Sequence, residues 1–66
     1  MEDEIQLREQ LEELRIEHRD LDIVVEQLMQ TSPVDMLRLQ RLKKRKLQLK
    51  DMIAKIESML IPDILA

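Results

Sequence analysis

The chain has 66 residues, 44% hydrophobic and 38% charged, with a formal net charge of −3 and no aromatic residue, cysteine or glycine. That length allows one small domain, near the size at which a lone core becomes marginal. Without cysteine there are no disulfides, thiolate chemistry or cysteine metal sites; without glycine, tight turns at positive φ lack their usual residue, which argues against hairpin-rich β structure.

The opening residues Met1-Glu2-Asp3-Glu4 are acidic, where a secretory signal or transit peptide would be basic. No apolar run approaches the roughly 18 residues of a membrane span. A soluble cytoplasmic protein, not integral to a membrane, is expected. From about residue 3 to residue 30, Leu7, Leu11, Leu14, His18, Leu21, Val25 and Leu28 recur at alternating spacings of four and three, the mark of a helix with a coiled-coil seam. Thr31-Ser32-Pro33 is the strong break. Ser32 suits an N-cap, Pro33 the first helical position, and Asp35 completes a pattern like a capping box. This predicts a turn at 31–33 and a second helix over about 33–61. Along it Leu39, Leu42, Lys46, Leu49, Ile53, Ile56 and Leu60 repeat the seam. Pro62 stops it, leaving a short apolar tail over 62–66 that either docks on a partner or folds back over the open end of a bundle.

The fold class expected is all-α: one antiparallel two-helix hairpin, coiled-coil-like, assembling into a helical bundle. Residues 1–30 carry ten acids and three bases (net −7), and residues 31–66 four acids and eight bases (net +4). Halves of opposite charge attract when laid side by side. In an antiparallel pair, facing residue numbers add to a constant. Leu28 with Leu39, Val25 with Leu42, Leu14 with Ile53 and Leu7 with Leu60 all give 67. On one flank that register places Asp22 near Lys43, Arg8 near Glu57 and Met29 near Met36, with Arg15 and Lys50 as a like-charge pair. His18 and Lys46 are polar intrusions in adjacent seam layers, the kind that fixes register or oligomer state; the Lys46 stem can lie along the seam with its charge outward.

Apolar residues also occur outside the seam. Ile16 and Ile23 fall on the far side of the first helix; Val24, Met52 and Met59 on the second flank; Leu37, Leu47 and Ile61 on the outer face of the second helix; Ile64 and Leu65 in the tail. Surplus apolar surface of this kind marks interfaces. Ile16, Ile23, Val24, Leu47, Met52, Met59, Ile61, Ile64 and Leu65 are therefore the candidate interface. A homo-oligomer is expected, a two-fold dimer forming a four-helix bundle first, with a further protein partner possible.

No pattern points to catalysis. His18-Arg19-Asp20-Leu21 matches the start of the protein-kinase catalytic loop, but a kinase also needs a Gly-rich loop, a lysine strand and a second metal-binding Asp. One histidine among scattered carboxylates lacks the clustered ligands of a zinc site. The expectation is a non-enzyme with no cofactor or metal. Arg38, Arg41, Lys43, Lys44, Arg45 and Lys50 are candidate anion-binding residues, and nucleic-acid binding through them is the alternative function. Against it stand the net acidic charge, the absence of aromatic stacking residues, and the distribution of these bases around the helix.

The stretches Glu17-His18-Arg19-Asp20-Leu21-Asp22, Leu39-Gln40-Arg41-Leu42-Lys43-Lys44-Arg45-Lys46-Leu47 and Leu60-Ile61-Pro62-Asp63-Ile64 resemble the YdcH family of small bacterial proteins. The resemblance runs from about residue 10 to the end. It implies a short helical hairpin in a bacterial cytoplasm, and no established activity, substrate or catalytic residue.

Overall fold

A computed structural model describes residues 2–60. It contains two helices, α1 (Glu2–Gln30) and α2 (Met36–Leu60), folded into an antiparallel hairpin about 49 Å long. The spacing of aliphatic residues decides which faces meet. All fourteen seam positions are buried or half-buried, and no residue outside the seam is buried among the described ones. Leu11, Leu14, Leu49 and Ile56 form the central cluster, with Leu7, Leu21, Ile53 and Leu60 packed against it. Val25 and Leu39 are buried nearer the turn.

The second helix starts later than the expected residue 33. Asp35, not Ser32, is its N-cap: the Arg38 N–H donates to Asp35 Oδ1 at 3.1 Å and the Leu39 N–H to the Asp35 carbonyl at 2.9 Å. Aspartate caps as well as serine does, and a cap at 35 brings the first seam residue, Leu39, into the first helical hydrogen bond. Ser32 and Pro33, joined by a cis peptide bond, therefore belong to the turn. At the other side of the turn, the Thr31 hydroxyl donates to the Gln27 carbonyl at 2.9 Å and the Thr31 N–H to the Leu28 carbonyl at 3.2 Å. These bonds satisfy carbonyls that a glycine cap commonly serves, and no residue adopts positive φ among the described ones.

Among the described residues three ion pairs cross between the helices, and they differ from the flank pairs expected. Asp22 bonds to Lys46, not Lys43. Glu57 is taken by Arg15 at 2.7 Å, not by Arg8, which pairs with Glu4 one turn back at 3.0 Å. On the opposite flank Glu17 meets Arg45 at 3.0 Å. Arg15 and Glu17 lean in opposite directions along the hairpin, five residues from their level partners in the Leu14–Ile53 register. Long side chains choose the diagonal with the opposite charge, so Arg15 is drawn to Glu57 and away from Lys50.

Candidate interaction surface

With the seam positions as a and d of a heptad, the two flanks of the hairpin have different characters. One flank, carrying the e and b positions, holds the Arg15–Glu57 pair. There an open groove of about 490 Å³ runs beside the polar seam layers. Lys43, Lys46 and Lys50 of α2 line it with His18 and Asp22 of α1 and the aliphatic Leu47 and Ile53. The other flank, carrying the g and c positions, holds the Glu17–Arg45 pair and the residues Val24, Met52 and Met59.

His18 and Lys46 are both half-buried and converge on Asp22. The Lys46 ammonium bonds to Asp22 Oδ1, and His18 Nδ1 stands 3.9 Å from Oδ2. The Lys46 hydrogen bond holds the Asp22 carboxyl below its ordinary range; desolvation opposes this, and the Lys46 and His18 charges reinforce it. Lys46 thus uses its stem as expected, with its charge returned to the acidic helix. Asp22 is the member of this trio that the heptad register assigns to Lys43 instead of Lys46. It sits at an e position, four residues after His18 and almost level with Lys46, and that combination was the available signal. Among the described residues no cluster of three His, Cys, Asp or Glu side chains has metal-binding geometry. No helix there is long and apolar enough to cross a membrane.

The candidate interface residues are dispersed. Ile16 and Ile23, each 49% exposed, lie on the outer face of α1; Leu47, 68% exposed, borders the lysine groove; Met52 and Met59 are exposed and Val24 half-buried on the opposite flank. Ile61, Ile64 and Leu65 lie outside the described residues. The candidate anion-binding residues are divided in the same way. Lys43 and Lys50 border the groove, Lys44 falls on the outer face of α2, and Arg38, Arg41 and Arg45 belong to the other flank. Of these six, Arg45 has a carboxylate partner among the described residues.

Residues 11–57 match the family described as "Protein of unknown function (DUF465)". The chain belongs to that family. The DUF465 match begins at Leu11, a member of the central cluster, and ends at Glu57, the partner of Arg15. It thus takes in the turn and both polar seam layers. No curated protein and no solved structure matches the chain.

Proposed function

We propose that this DUF465 chain is a non-catalytic helical interaction protein, which self-associates and docks on a protein partner through apolar positions outside its seam. We read it further as a YdcH-like protein of a bacterial cytoplasm, on the residues that carry that resemblance. The observation that supports the functional reading is the ratio of buried to exposed apolar side chains. Six hydrophobic residues are buried, Leu49 alone completely, while ten large ones from Ile5 to Met59 remain exposed among the described residues. Seven further aliphatic residues are half-buried, and the ten exposed ones are apolar surface that association can remove from water.

Sedimentation equilibrium should give a mass above one chain at micromolar concentration. Affinity capture from the native host, with and without Ile16→Glu and Ile23→Glu, then examines the outer face of α1. Unchanged mass and unchanged partner recovery would remove that face from the interface.

Nucleic-acid binding is the second reading, favoured by Arg38, Arg41, Lys43, Lys44 and Lys50, which have no carboxylate within ion-pair distance among the described residues. Phosphate contacts make affinity fall steeply with salt, whereas apolar docking is insensitive to it. Absence of RNA or DNA binding at low salt would end this reading.

A further inference from the structure

The two flanks differ in how their charges are sorted. All three bases of α1, Arg8, Arg15 and Arg19, occupy e and b positions, where they mix with Glu12, Asp22 and Glu26. On the g and c flank the sorting is complete. There α1 presents Asp3, Glu13, Glu17 and Asp20 with no base, and α2 presents Arg38, Arg41, Arg45 and Lys55 with no acid. The Glu17–Arg45 bridge spans this flank within the hairpin. Asp3, Glu13, Asp20, Arg38 and Arg41 are exposed on it with no ion-pair partner among the described residues. Between the two charged edges lie Val24, half-buried, and Met52 and Met59, exposed.

We propose that this flank is the dimer interface, occupied by the same flank of a second copy, with the two-fold axis parallel to the helices. The proposal rests on the self-association reading above and specifies its geometry. Of the two-fold arrangements that stack one flank on the other, an axis across the helices puts α1 over its own copy, acid on acid and base on base. An axis along them puts each α1 over the α2 of the partner, antiparallel, so every acidic edge meets a basic one. Rotation about that axis leaves heights unchanged, so the register of the hairpin carries over. Glu13 then stands within one residue of the level of Lys55 of the partner subunit, and Asp20 within one of Gln48 of the partner subunit, beside Arg45 of the partner subunit. Lys55 also has an exposed link to Asp51 one turn back, at 3.3 Å, which such a contact replaces at little cost. Val24, Met52 and Met59 supply the third apolar position that widens an a/d seam into the stripe of a four-helix bundle. Methionine suits such a surface because it adapts its shape.

The test uses two variants of the full chain with changes at c positions, away from the intrachain bridge. Variant one is Glu13→Lys with Asp20→Lys; variant two is Gln48→Glu with Lys55→Glu. Variant one alone sets like charges opposite one another twice per dimer and variant two four times, and each should raise the dimer dissociation constant about tenfold or more. An equimolar mixture should restore the two-chain mass, because complementary charges meet again. Sedimentation velocity reads the mass and far-UV circular dichroism the helix content; a variant that loses helicity alone should regain it on mixing. Variants that dimerise like the wild type overturn the proposed surface and leave self-association standing. So does a mixture that fails to recover, or one in which variant one pairs better with wild type than with variant two. A wild-type mass of one chain at every concentration defeats both this proposal and the reading beneath it.

Discussion

Truncating Leu49 to alanine should lower stability by about 2–5 kcal/mol, because it is 0% exposed at the centre of the core cluster. The same change at Leu47, two residues away and 68% exposed, should stay within about 0.5 kcal/mol; urea denaturation of both variants checks the contrast. Asp22 carries a pH dependence. Its carboxyl is held below the ordinary range by Lys46, so its contribution is fully present above the unfolded-state range and is lost as pH falls through the folded value. Thermal melts of wild type and Asp22→Asn should therefore converge as pH drops below the carboxylate range and separate above it. Seam membership was legible in the sequence because the four-three spacing of Leu11, Leu14, Leu49 and Ile56 has a single geometric solution. The partner of Asp22 was not, because a flexible lysine stem sets where its charge arrives and heptad letters carry no reach. The diagonal choice of Arg15 for Glu57 was hidden for the same reason.

At the scale of elements, the two helices and the break between them follow from aliphatic periodicity and one proline. The start of α2 was harder to read, since Ser32 and Asp35 are both competent caps and local chemistry alone ranks them nearly equal. The hydrogen bond from the Arg38 N–H to Asp35 Oδ1 decides between them. Replacing Asp35 by alanine should cost about 0.5–2 kcal/mol, while Ser32→Ala should leave stability within about 0.5 kcal/mol; chemical denaturation of the two variants separates these outcomes. The exposed apolar positions show the opposite relation. Composition and spacing marked Ile16, Ile23, Leu47 and Met52 individually, but their distribution over different faces of the hairpin depends on the rotation of each helix about the seam. Only after the seam is fixed does the charge sorting of the g and c flank become visible.

For the whole molecule, association linked to folding predicts that the melting temperature rises with protein concentration. Circular dichroism melts over a hundredfold range of concentration check this, and a constant midpoint would speak for a self-sufficient hairpin. The hairpin topology also ranks its layers by the entropy needed to close them. Its seam layers close progressively longer loops, from Leu28 with Leu39 beside the turn to Leu7 with Leu60 at the open end. Loop closure costs more entropy as the loop lengthens, and the layers beside the turn reduce the loop that each later layer must close. Loop entropy alone therefore favours contacts nearest the Thr31–Asp35 turn and makes the Leu7–Leu60 layer the costliest to close first. The polar layers of His18 and Lys46 fall midway along that series, where the Asp22 carboxylate ties Lys46 of one helix to the other.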